Sequence, residues 1–180
     1  MRKNILGFVA LMALACISFE AKAEIQTVPY VDVNRYLGDW YQIAHVPLWF
    51  EGISDCPCAR QRLAVTAKPG VVSVLNTCTK TDGSLYSIAG TARNDDRTTN
   101  AKFTVNFEGV PFAGSYWIIG LDPDYRFAVV TDRSGGSLYI LSKTTTLSQE
   151  LFDRAVAIAR QQLDTSQLQV TRQTGCSYPK

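Results

Sequence analysis

The residues with the widest chemical reach in this 180-residue chain are its cysteines and its one histidine. Cys16 falls in an N-terminal leader, which leaves Cys56, Cys58, Cys78 and Cys176, with His45 some way off in sequence. An even set of cysteines in an exported chain reads as two disulfides, with three connectivities open. Zinc is the competing reading, but Cys-x-Cys is the wrong spacing for it and His45 stands far from the set. Paired thiols are not nucleophiles, so chemistry through cysteine falls away. No Ser/His/Asp arrangement is visible, the strands offer no carboxylate that can be placed inward, and His45 reads as a satisfied polar residue at a strand end. What remains is aromatic surface. Tyr86, Phe103, Tyr116, Phe127 and Tyr139 are the inward-facing candidates on successive strand-like runs. Their rings could interdigitate into a solid core, but tyrosine hydroxyls need partners when buried, which suits a mostly apolar cavity with a few polar contacts.

The leader sets the compartment. Arg2 and Lys3 precede an apolar run from Ile5 to Phe19, and Ala21-Lys22-Ala23 forms a small-residue cleavage pattern before Glu24. Residues 1–23 therefore read as a secretory signal peptide, and 24–180 as a single mature domain. The run is broken by Gly7 and is shorter than the roughly 20 apolar residues of a spanning helix. Lipoprotein anchoring at Cys16 is the weaker alternative, because Ala13-Leu14-Ala15 lacks the Leu-like residue wanted first. Cleavage removes Arg2, Lys3, Lys22 and Glu20 from a chain of 18 basic and 16 acidic residues, leaving it formally neutral. Nucleic acid, which needs a basic footprint to displace counterions, is excluded as a partner.

The elements that must position the aromatics are short strands. Asp32 to Leu37 predicts one helical turn before Gly38, and the first strand runs from Trp40 to about Val46, where Pro47 ends its ladder. Leu48-Trp49-Phe50-Glu51-Gly52 is a loop whose two aromatics could cover an opening. Strand-like runs follow at Cys58–Thr66, Val71–Thr79, Ser84–Ala92, Lys102–Phe107, Tyr116–Leu121, Arg126–Thr131 and Ser137–Ser142. Turn chemistry separates them, including Ala67-Lys68-Pro69-Gly70 and Thr81-Asp82-Gly83. A bend centred near Lys68 brings Cys58 close to opposite Cys78, which would permit a cross-strand bridge. The period then changes: Leu147, Leu151, Ala155, Ile158 and Leu163 predict an amphipathic helix from Ser148 to Leu163, with Thr146 and Gln149 as a capping box. Gln167 to Thr171 could add an edge strand. Eight strands and one helix are too few to cover both faces of an open sheet. Closing the sheet removes its edges and buries one face, giving an all-β, eight-stranded antiparallel up-and-down barrel with one C-terminal helix outside.

Three stretches, in order and spanning Asn34 to Cys176, resemble the lipocalin family. The first is Asp32-Val33-Asn34-Arg35-Tyr36-Leu37-Gly38-Asp39-Trp40-Tyr41, with its Gly-x-Trp. The second joins Gly114-Ser115-Tyr116-Trp117-Ile118-Ile119-Gly120-Leu121-Asp122 to Tyr125-Arg126-Phe127-Ala128-Val129-Val130, with Val130-Thr131-Asp132 on the second family motif. The third is Leu138-Tyr139-Ile140-Leu141-Ser142-Lys143. Two positions depart from the pattern. The arginine that stacks on the motif tryptophan in the family is here Lys143, which can lie over Trp40 but lacks the planar fork, and Arg133 stands where an aromatic is usual.

The resemblance implies a calyx whose floor holds Gly38, Trp40 and Lys143. It places Tyr139 where relatives carry a pocket tryptophan, puts Leu63 and Asn76 on calyx-facing positions, and pairs Cys58 with Cys176 and Cys56 with Cys78. The function it implies is carriage or scavenging of a small hydrophobic ligand, such as a fatty acid or lysophospholipid, in the periplasm or outside the cell, with no cofactor and no metal. An enzyme acting on a lipophilic substrate in the same cavity is the alternative. Peripheral contact with a membrane, and either a monomer or a dimer, are compatible with the sequence.

Overall fold

The computed structural model describes residues 24–47, 56–80 and 82–178. The leader with Cys16, the aromatic loop Leu48 to Gly52 and Thr81 of one turn lie outside the described residues.

Among the described residues nine antiparallel strands form one sheet: β1 (Gly38–His45), β2 (Arg60–Val65), β3 (Val71–Thr79), β4 (Leu85–Asn94), β5 (Lys102–Phe107), β6 (Gly114–Leu121), β7 (Phe127–Thr131), β8 (Tyr139–Ser142) and the short β9 (Gln169–Val170). The first eight run up and down in chain order. The sheet closes because β1 pairs with β8 on one edge and with β2 on the other, Gly38 opposite Leu63 and Tyr41 opposite Arg60. Closure satisfies backbone groups that an open sheet would leave unpaired. The β2–β3 register sets Arg60 against Thr77, and Cys58 sits two residues outside the ladder with φ 58° and its N–H on Arg172 O at 2.8 Å. The Cys58–Cys78 bridge suggested by the hairpin is therefore not formed. Cys56 is bonded to Cys78 and Cys58 to Cys176, with Cα separations of 5.6 and 5.5 Å.

One end of the barrel is plugged. The turn α1 (Val33–Tyr36) is capped by Asp32, whose carboxylate accepts from the N–H groups of Asn34 and Arg35, and the chain then bends at Gly38, φ 95°, a backbone region that costs glycine nothing. Trp40 enters the interior fully buried. Its indole N–H donates to Tyr36 O at 2.7 Å. Lys143 lies over the ring at 4.3 Å and donates to Leu37 O at 2.5 Å and Tyr36 O at 3.2 Å. Burial lowers the Lys143 pKa to about 8, against an upward pull from Asp39.

Residues alternate between two cores. Trp40, Leu63, Val74, Phe103, Val105, Ile118, Val130 and Leu141 fill the inside of the barrel. Ile43, Trp117, Ile119, Phe127, Val129 and Ile140 face outward and are covered by α2 (Gln149–Arg160) through Leu151, Ala155, Val156 and Ala159. Each large apolar side chain buried there stabilises by roughly 1.5–3 kcal/mol. Gly120 permits the close approach: a Cβ there would stand 2.7 Å from Ile158. The helix starts at Gln149, with Ser148 Oγ accepting from the Leu151 N–H. The Thr146/Gln149 capping box is not made, because Gln149 Nε2 turns to Asp153 and Thr146 O accepts from Thr144 Oγ1. Asp122, fully buried at the end of β6, fixes the helix to the sheet. It pairs with Arg126 at 2.8 Å and lies 3.6 Å from Arg154 of α2.

Two outcomes test this frame. Lys143→Met is expected to lose about 1–3 kcal/mol in urea unfolding, the range for charge-assisted bonds to buried carbonyls. Lys143→Arg keeps the barrel end closed. Because the folded pKa of Lys143 is depressed, the unfolded chain binds this proton between about pH 8 and its ordinary value while the folded one does not. The wild type therefore gains stability relative to Lys143→Arg as pH rises through that window. Asp122→Asn is expected to cost about 2–3 kcal/mol. The Arg126 guanidinium holds the Asp122 carboxyl below its ordinary pKa. Its contribution is full above that value and lost on acidification, so the variant's stability should fall less steeply below about pH 4.

Candidate functional site

An apolar slot lies inside the barrel toward the plugged end, between α1 and the wall made by β2 to β6. Leu63, Val72, Val74, Ala92, Phe103 and Val105 line it, with Val31, Val33 and Leu37 from the closing segment, and Tyr36, Tyr116 and Gln61 as its polar members. Its cavity volume is only about 20 Å³. It is a narrow slot, and its side chains must part for a row of methylenes to enter.

The elements explain the lining. β2 reads Arg60-Gln61-Arg62-Leu63, and strand alternation puts Gln61 and Leu63 inside while Arg60 and Arg62 go outside to Asp39. Val72, Val74 and Asn76 share the inner face of β3. Phe103 faces Tyr116 directly across the β5–β6 pair. Tyr36 comes from α1, four residues before Trp40, with its ring centroid 4.7 Å from the indole.

The polar members form a chain. Tyr36 and Tyr116 hydroxyls lie 2.8 Å apart, and Tyr116 donates to Gln61 Oε1 at 3.1 Å. Since Tyr116 spends its one hydrogen on Gln61, Tyr36 is the donor to Tyr116. Burial raises both phenol pKa values, so both stay protonated. Asn76 stands opposite Gln61 in the β2–β3 register, one inward position beyond Val74 toward the open end, and its Oδ1 is buried with no hydrogen-bond partner.

Of the residues picked out by sequence, Leu63, Phe103 and Tyr116 line the slot. Tyr139 packs against the same interior core but is not part of the slot. Tyr86 pairs with Cys78 near the open end, with Lys80 5.6 Å above its ring, also outside the slot. Phe127 is a correction: it faces away from the interior and packs under α2, with Arg154 5.8 Å from its ring centre. Every residue of β7 is buried. A strand covered on both sides shows no alternation of polarity, so its orientation cannot be told from hydrophobicity. Tyr36 and Gln61 were missed. Gln61 shares the parity of Leu63 and could have been found that way. Tyr36 reaches the slot only because α1 folds across the barrel end. His45, buried, has Nδ1 3.2 Å from Thr171 Oγ1. Among the described residues no group of three or more His, Cys, Asp or Glu is placed to hold a metal ion.

Comparison with known proteins agrees with this architecture. Residues 31–173 match the family model described as a lipocalin-like domain. Temperature-induced lipocalin-1 of Arabidopsis thaliana is 33% identical over 162 residues, covering 85% of each chain. The outer membrane lipoprotein Blc of Escherichia coli K12 is 33% identical over 168 residues, covering 92% of this chain and 93% of the relative. The solved structure of insecticyanin from the tobacco hornworm Manduca sexta superposes with a TM-score of 0.67 at 19% identity, over 84% and 85% of the two chains. The plugged barrel, the outer helix and these likenesses agree: the chain belongs to the lipocalin family, known for binding small hydrophobic ligands.

Proposed function

We propose that the protein binds and carries, or scavenges, a small hydrophobic molecule with a long apolar tail, of the fatty acid or lysophospholipid kind. The observation that carries this is the slot itself: an almost wholly apolar lining inside a closed barrel, with the polar side chains gathered at one side. Moving an alkyl chain from water into such a lining gains roughly 25 cal/mol per Å² of apolar surface removed from water. The narrowness of the slot means that Phe103 and the valines of β3 adjust around the tail.

The same lining argues for carriage over catalysis. Its described residues include no carboxylate, imidazole or thiol, and its two phenols hold their protons tightly. General acid-base or nucleophilic chemistry needs a group that gives up or takes a proton near the working pH. Two disulfides fit an oxidising compartment, in keeping with export to the periplasm or beyond. Leu85, Phe112 and Val170, exposed large apolar residues at the open end, are where contact with a membrane surface would form.

Displacement of a neutral fluorescent probe, N-phenyl-1-naphthylamine, by a panel of lipids tests the reading. The wild type should bind the probe and release it to long-chain lipids. Leu63→Trp, which fills the slot at a folding cost of about 1–3 kcal/mol, should weaken probe binding at least tenfold while circular dichroism stays that of a barrel. A wild type that binds neither probe nor lipid, or a Leu63→Trp protein that binds both unchanged, rules the slot out.

A further inference from the structure

Resting on the carrier reading, the geometry points to the head group: we propose that the part of the ligand held inside the barrel is an uncharged, hydroxyl-bearing head on a long alkyl chain, its hydroxyl donating to Asn76 Oδ1. Asn76 sits on the inner face of β3 just above Val74, which lines the slot, and across from Gln61, which ends the slot's polar chain. A tail occupying the slot therefore brings its head to the level of this amide. The Oδ1 atom is buried without a partner, and a buried acceptor left unmade is a standing cost that a ligand donor removes.

The remaining groups disfavour the other head chemistries, so that of the two ligand kinds proposed above the lysophospholipid is favoured over the ionised fatty acid. An anion needs donors, and the two phenol hydrogens are already committed, Tyr36 to Tyr116 and Tyr116 to Gln61. Among the described residues lining the slot none is charged. The lysine and arginine charges close to it are engaged elsewhere: Lys143 lies over the Trp40 ring, and Arg60 and Arg62 lie on the outer face with Asp39. An ionised carboxylate drawn in here would be desolvated with only neutral amide N–H groups to meet it. An ester or ether oxygen accepts but cannot donate, and leaves Oδ1 as it was. A hydroxyl does both, giving its hydrogen to Asn76 Oδ1 and accepting from an amide N–H. Long-chain alcohols fit this description, as do lipids whose glycerol carries a free hydroxyl next to the acyl chain, their charged portion remaining outside the barrel.

Three C12 probes isolate the head group in displacement of N-phenyl-1-naphthylamine at pH 8: dodecan-1-ol, 1-methoxydodecane and dodecanoate. The wild type is expected to prefer the alcohol over the methyl ether by about tenfold, the size one net hydrogen bond gives, and over dodecanoate by at least as much. In Asn76→Leu the alcohol and the ether should bind within about twofold of each other, with ether affinity retained. Asn76→Asp, which keeps the acceptor, should keep the alcohol preference, and this variant guards against a mere packing defect in the leucine protein. A wild type that binds the ether or dodecanoate as well as the alcohol, or an Asn76→Leu protein that keeps the preference, overturns the proposal while leaving the carrier reading intact. Binding of none of the three overturns both.

Discussion

The closing of the sheet on β1 is the constraint on which everything else rests. β1 is the one strand that must satisfy partners far apart in sequence, β8 on one edge and β2 on the other. Once it does, the described barrel strands have an inner and an outer face, and each side chain's environment follows from its parity. The apolar slot is a product of that division. So is the pairing of Arg60 and Arg62 with Asp39 on the outside, which keeps cations off an interior that has no solvent to screen them.

The plug gives the closed barrel a direction. Tyr36 O accepts both from the Trp40 indole and from Lys143, so one carbonyl joins the closing turn, the first strand and the end of β8. The hydroxyl of the same tyrosine begins the polar chain that runs to Tyr116 and Gln61. Floor and slot therefore share a residue. A change that loosens the floor reaches the slot through the position of this one ring, with no need for a long route of coupling.

The fold was legible because its signals are local. Gly38 before Trp40, turn residues between short runs, and a helical period beginning near Leu147 each announce an element, and together they leave little choice but a closed sheet. The disulfide pairing was less so. Centring the bend at Lys68 misplaces Cys58 by one register step, at a point where the chain has already left the ladder with left-handed backbone. Phe127 escaped for a different reason, since a strand buried on both faces hides its orientation. Tyr36 escaped because its role depends on where a four-residue turn lies in space. Asn76, by contrast, was placed on the inner face from family resemblance alone. What the sequence could not show is that its carbonyl oxygen has nothing to bond.

Beyond Tyr41 the second edge of β1 passes from β2 to the tail. Gln42 N–H still reaches Ala59 O, but Thr171 N–H takes Ile43 O, and Gln173 bridges Gln42 O and Ala59 O at 2.8 Å each, with Cys58–Cys176 locking the arrangement. The C-terminal segment is thus a wedge driven into the seam where first and second strands part. The circumference of the rim on this side is governed by the inserted tail and not by the eight-strand frame. Remodelling a few residues around Gln169 would reshape the aperture while the staves of the cask stayed as they are.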